Sequence, residues 1–213
     1  MIGVCWRLST ASDRPTRQRH MSRFSPLAGL AICAVLAACS YEPPRNIDNA
    51  CAITAERPRY LHAMERAERR WGVPVPVQMA VIHQESSFVH DARTPRKYFL
   101  WVIPAGRQSS AFGYAQALDG TWEDYQRATG NRLARRDTIE DATDFMGWYM
   151  ARSRDRLDIP LTDAKRQYLA YHEGHGGYAR GSYRAKGWLM RVSDRVAARA
   201  SRYQAQLAAC RRA

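Results

Sequence analysis

The sequence is short of acid. Twenty aspartates and glutamates stand against 33 lysines and arginines, a formal net charge of +13 carried mostly by arginine. Such a surface favours anionic partners. Nucleic acid is the first to consider, but the chain lacks zinc-finger spacing, an RNA-binding aromatic motif or an evident basic stripe, so no nucleic-acid partner is expected. No segment alternates with a firm period of two, and there is no internal repeat or low-complexity tract. The longest apolar run, residues 27–38, is too short to span a bilayer comfortably. His172-Glu173-Gly174-His175 lacks the His-Glu-x-x-His spacing that sets two metal ligands on one helix face, and His83 and His90 lie elsewhere. Ser86 and Ser87 have no evident His/Asp partner pattern, which weighs against a serine nucleophile. Neither a metal nor a cofactor is expected.

Cysteine is sparse, at five residues in 213, and its placement is informative. The apolar run ends in Leu36-Ala37-Ala38-Cys39, which resembles a bacterial lipobox. That motif implies a signal peptide over 1–38, cleavage before Cys39 and lipidation of its thiol. Residues 1–20 make an oversized polar leader, whereas Met21-Ser22-Arg23-Phe24 gives a compact one. Translation is therefore expected to start at Met21. Ser40 is not the usual inner-membrane retention signal of Gram-negative lipoproteins, so the periplasmic face of the outer membrane is the expected address. Residues 39–50, with Pro43-Pro44, read as a lipidated tether, and 51–213 as one globular domain. Cys5 and Cys33 fall in the removed leader. Cys51 and Cys210 remain and are expected to pair in an oxidising periplasm. Residues 1–38 carry five arginines against one aspartate, so +9 of the charge belongs to the rest.

That rest reads as mainly α. Apolar positions at three- and four-residue spacing predict a helix over 58–71, stopped by Gly72. A second helix begins after Pro74 and Pro76, runs through Val77–Ile82 and ends near Ser87. Thr121 is expected to cap a short helix ending at Gly130. Asp137 and Glu140 form a candidate capping box for a helix burying Ile139, Ala142, Phe145, Met146 and Tyr149. Thr162 is expected to cap a helix through Tyr171, followed by a glycine-rich turn at 174–178. A last helix spans 188–207. Residues 88–110 are a long irregular stretch, with room for a minor β-hairpin between Tyr98 and Tyr114.

Glu85 stands out within His83-Gln84-Glu85-Ser86-Ser87-Phe88. Burial would cost its carboxylate hydration, and the helix C-terminus adds partial negative charge. Both favour the protonated form, which suits a general acid near neutral pH. Without further context, the same residue could be a surface glutamate at a fraying helix end.

Two more segments carry candidate chemistry, Gly113-Tyr114-Ala115-Gln116 with Gly120-Thr121, and Ala170-Tyr171-His172-Glu173-Gly174. With Glu85-Ser86 they resemble, in order and type, the motifs of the soluble-lytic-transglycosylase (SLT) family over roughly residues 71–177. That family shows Glu-Ser, then Gly-Leu-Met-Gln with a following Gly-Thr, then Ala-Tyr-Asn-x-Gly. The resemblance implies a lysozyme-like helical domain, related to goose-type lysozyme. It implies cleavage of the β-1,4 bond between N-acetylmuramic acid and N-acetylglucosamine in peptidoglycan glycan strands, giving 1,6-anhydromuramyl products. Glu85 would be the acid and then the base. Ser86, Gly113, Tyr114, Gln116 and His172 would line or contact substrate, and Tyr171 would set its hydroxyl beside Glu85. A monomer held at the outer membrane by its lipid is expected.

The departures from the family pattern are Tyr114-Ala115 for Leu-Met, His172 for Asn, and a longer interval from Glu85 to Gly113. The extra stretch, 96–110, reads as a lid or subsite insertion. Two other readings stand beside this one. A muramidase similar to goose-type lysozyme would hydrolyse the same bond, with Glu173 as a possible second carboxylate across the cleft. A non-catalytic lipoprotein would bind peptidoglycan as a tether. Asp91 reads as a turn residue.

Overall fold

The computed structural model describes residues 42–99 and 103–210. The expected leader and Cys39 lie outside them. Helix α1 (Ala50–Glu56) is capped by Asn49, whose side chain accepts from the Ala52 N–H. Helix α2 (Pro58–Trp71) starts with proline and buries Tyr60, Ala63, Met64 and Ala67, then ends at left-handed Gly72. Proline fits there because a first-turn N–H has no helical partner to lose.

Helix α3 (Val75–Ser86) is buried at every residue from Val77 to Ile82. Apolar all round but for Gln78, whose amide donates to Met64 O and Val73 O, it belongs inside the molecule, and it packs against α2 and the three long helices introduced below. It ends on two consecutive left-handed residues, Ser87 (φ 51°) and Phe88 (φ 62°). Each costs roughly 1–2 kcal/mol for a residue with a side chain. Burying a phenylalanine returns roughly 1.5–3 kcal/mol, and Phe88 is fully buried and stacked 5.9 Å from the Tyr60 ring. Hydrogen bonds from Ser87 N to His83 O and from Val89 N to Ser86 O complete the anchor. The end of α3 is thus fixed by the core.

Strands β1 (Arg96–Phe99) and β2 (Ile103–Arg107) form an antiparallel hairpin within the segment read from sequence as irregular, pairing Tyr98 with Pro104 and Phe99 with Ile103. Helix α4 (Asp119–Thr129) starts before Thr121 and ends at left-handed Gly130. Helix α5 (Ile139–Leu157) has Thr138 at its N-cap, and the Asp137–Glu140 capping box does not form. Arg59 on α2 takes Glu140 with two hydrogen bonds, and Arg135 takes Asp137.

Helix α6 (Ala164–Ala179) is capped by Asp163 rather than Thr162, and it continues past Tyr171 across a kink at Gly174 (φ 72°, ψ 157°). A 3-10 turn (Ser182–Ala185) leads into α7 (Gly187–Cys210). Rings of Trp122, Tyr125, Phe145, Trp148, Tyr149 and Tyr171 pack α4, α5 and α6 together at centroid spacings of 5.1–6.4 Å.

Cys51 and Cys210 form the expected disulfide, with Cα atoms 6.0 Å apart. The end of the stretch read as a tether is fastened down. The Tyr203 hydroxyl donates to Ile47 O, and Gln206 bonds both Asp48 O (3.2 Å) and the Ala50 N–H (2.7 Å). The described residues 42–50 accordingly belong to the compact unit. No helix among the described residues is long and apolar enough to cross a membrane.

Candidate active site

The last turn of α3 carries Glu85, whose placement follows from the Phe88 anchor. The residue is half-buried, but its carboxyl is enclosed by protein. Desolvation raises its pKa from 4.5 to about 7, against an opposing hydrogen bond from the Tyr168 hydroxyl. At neutral pH such a carboxyl is divided between its acid and base forms, the condition for general acid–base work.

Tyr168 is the residue that sequence reasoning missed. It sits on α6 three residues before Tyr171, so the two share a helix face, and it is buried. Its hydroxyl meets the Glu85 carboxyl, and its own pKa is pushed up by burial and then by that charge. Tyr171 is also pushed up by burial and by Glu85. Its hydroxyl proton, however, goes to Ala115 O at 2.5 Å. The arrangement expected of Tyr171 is therefore shared, with Tyr168 holding the carboxyl and Tyr171 tying α6 to the 113–117 turn.

Tyr171 also lines a groove of about 200 Å³ together with Gln116, Leu118, Thr121, Tyr149 and His172. Gln116 sits at φ 47°, and its amide nitrogen donates to Ala92 O (2.9 Å) and Gly113 O (2.8 Å). With the nitrogen committed, its Oε1 is the end able to accept a hydrogen bond from a sugar. His172 is exposed at the groove rim, with Nδ1 3.1 Å from Glu173 Oε1 and the Trp188 ring edge-on at 5.2 Å.

Three expected substrate contacts are turned inward. Ser86 is buried and donates to Ile82 O. Tyr114 is buried, with its hydroxyl 2.9 Å from that of Tyr60. Gly113 is buried with its backbone groups used by Ala92 and Gln116, and a Cβ there would lie 2.0 Å from Arg136 O. These residues shape the turn and the core beneath the groove.

Glu173 is fully occupied. Its side chain is 3% exposed, and its carboxylate binds Lys186 Nζ at 2.7 Å, His172 and the Ser182 hydroxyl. The Lys186 and Ser182 contacts lead in lowering its pKa to about 2. His175 stacks on Tyr149 at 4.4 Å and meets Ser153 Oγ at 2.9 Å. A larger depression of about 600 Å³ lies between α2 and α5, lined by Arg66, Arg70, Glu140 and Asp144, whose charges pair across it. None of the groups around Glu85 lines it.

A family described as transglycosylase SLT domain matches residues 27–210. No curated protein is significantly similar to the chain.

Proposed function

The chain belongs to the transglycosylase SLT-domain family, whose members act on peptidoglycan, and from this premise we propose that it is a lytic transglycosylase cleaving the N-acetylmuramic acid–β-1,4–N-acetylglucosamine bond. The carrying observation is Glu85, an enclosed carboxyl with a pKa near 7 beside Tyr168. In its acid form Glu85 gives its proton to the glycosidic oxygen as the bond to C1 breaks and an oxocarbenium-like centre develops. The muramyl 6-hydroxyl then attacks C1 and closes a 1,6-anhydro ring. Its proton goes to the Glu85 carboxylate, restoring the acid. One residue serves twice, and no water is consumed.

The environment of Glu173 weighs against the hydrolytic alternative. In the two-carboxylate route that most glycoside hydrolases use, a second carboxylate must be free to activate water or to attack C1, and Glu173 is held by three partners. Gln116 and His172 are the groove residues we assign to sugar contacts. The lipobox supports lipidation at Cys39 and residence on the periplasmic face of the outer membrane, as part of the same proposal.

Mass spectrometry of purified peptidoglycan digested by the wild type and by Glu85→Gln tests the reading. Anhydromuramyl ends from the wild type, absent with Glu85→Gln, are the expected result. Reducing ends one water heavier would instead establish hydrolysis. Wall binding without fragments from either protein would establish a tether.

A further inference from the structure

Arg195, Arg199 and Arg202 recur along α7 at four- and three-residue spacing and so share one flank, about 10 Å long. Arg195 and Arg202 are exposed and Arg199 partly so. Several arginines elsewhere are matched with acids, as in Arg59 with Glu140, Arg70 with Asp144 and Arg136 with Asp119. Among the described residues none of these three forms an ion pair. They crowd one another instead. Burial disfavours the Arg199 charge, and Arg202 and Arg195 add to that against help from Tyr203 and Asp48.

A second observation marks the same place. Arg199 Nε and Nη1, and Nε2 of neighbouring His83 on α3, are enclosed without a hydrogen-bond partner. Buried polar atoms are nearly always satisfied, so the unpaired nitrogens of Arg199 and His83, near enough for their charges to interact, leave donors to which an acceptor can be added. The acid at hand, Asp48, is 64% exposed and stands 3.5 Å from His83 Nε2, outside hydrogen-bonding geometry.

The flank runs toward the active site. Arg195 acts electrostatically on Tyr168, which meets Glu85. Seven residues earlier on the same flank, Trp188 is 50% exposed against His172 at the groove rim. Neutral sugars offer hydroxyls and amide carbonyls but no charge to match three guanidiniums. The peptides borne by muramyl residues offer carboxylates, which the guanidinium fork fits. Roughly three residues of extended peptide span the 10 Å of the stripe.

We propose that the Arg195–Arg199–Arg202 flank of α7, with His83, is a subsite for the carboxylates of a peptide stem on the glycan strand held in the groove. This rests on the peptidoglycan-cleaving function proposed above.

The test uses labelled soluble peptidoglycan fragments with their peptides intact, and the same fragments stripped by an amidase. Binding is read by fluorescence anisotropy on the full chain carrying Glu85→Gln, with and without Arg195→Gln/Arg202→Gln. Those two arginines are exposed, and an unchanged thermal midpoint checks the fold. Intact fragments are expected to bind about tenfold more tightly than stripped ones. The double substitution should erase that preference and leave stripped fragments unaffected. Equal loss on both fragments, or no preference to begin with, overturns the proposal. So does loss of binding to anionic phospholipid vesicles while the peptide preference persists, which would make the stripe a lipid surface. Because binding is read without turnover, failure of the Glu85 chemistry appears separately, as absent anhydromuramyl ends in the wild-type digest.

Discussion

At the scale of single residues, Glu85 links the proposed catalysis to stability. Its folded pKa lies at about 7, above the 4.5 of an unperturbed glutamate. The folded state therefore holds the proton more tightly than the unfolded state. The stabilising contribution of the protonated carboxyl is complete below pH 4.5 and is lost as pH rises through 7. Replacing Glu85 with glutamine should leave stability nearly unchanged near pH 4. Near pH 8 it should raise it by about 2–3 kcal/mol, read as the difference in denaturant midpoints. Wild-type kcat/KM should fall about tenfold per pH unit above pH 7 as the acid form is depleted. Tyr168→Phe removes a hydrogen bond that favours the carboxylate and should move that limb to higher pH. A limb that stays in place would show that Tyr168 does not hold the carboxyl. Glu85 was a candidate in the sequence because Glu85-Ser86, followed in order by two further segments, resembles the family's motifs, whereas the apolar run alone could equally end in a surface glutamate. Tyr168 was not, since nothing in a linear string decides which of two tyrosines three residues apart reaches the acid and which reaches a carbonyl.

At the scale of elements, legibility followed locality. Helix α2 was readable from end to end because its stripe, its leading proline and the terminating Gly72 are all local signals. Short α1, seven residues just past the stretch read as a tether, is too brief to show an apolar stripe. The capping box failed because Arg59, 81 residues away from Glu140, outbids a local backbone N–H. The Gly113–Gln116 turn shows the same limit. Of its motif, Gln116 lines the groove, but Tyr114 faces the core, where it meets Tyr60. Gly113 has no room for a side chain at φ 78° against Arg136 O. Gly113→Ala is therefore expected to destabilise the protein by at least about 2 kcal/mol, from left-handed strain and the clash with backbone. Thermal denaturation measures this. A smaller change would mean that the 135–136 backbone yields easily.

At the scale of the whole molecule, the Cys51–Cys210 bond closes nearly the entire described chain into one loop. In the chain-entropy picture such a loop contributes up to about 5 kcal/mol. Reduction should lower the denaturant midpoint accordingly, and Cys51→Ser should reproduce the effect. No change in either would place the stabilisation in helix packing alone. This pairing was legible from the cysteine count, whereas the groove, the Glu173 network and the α7 stripe depend on helices far apart in sequence. The same bond has a mechanical side. If the two ends of the chain are pulled apart, the tension passes through sulfur and bypasses everything between residues 51 and 210. The helices carrying Glu85 and the groove would bear no load, and a force–extension trace would show only the short flanking segments. After reduction the 159-residue separation would add roughly 55 nm of contour length. In its oxidised form the domain acts as a shackle in a line, able to transmit force without being stretched by it.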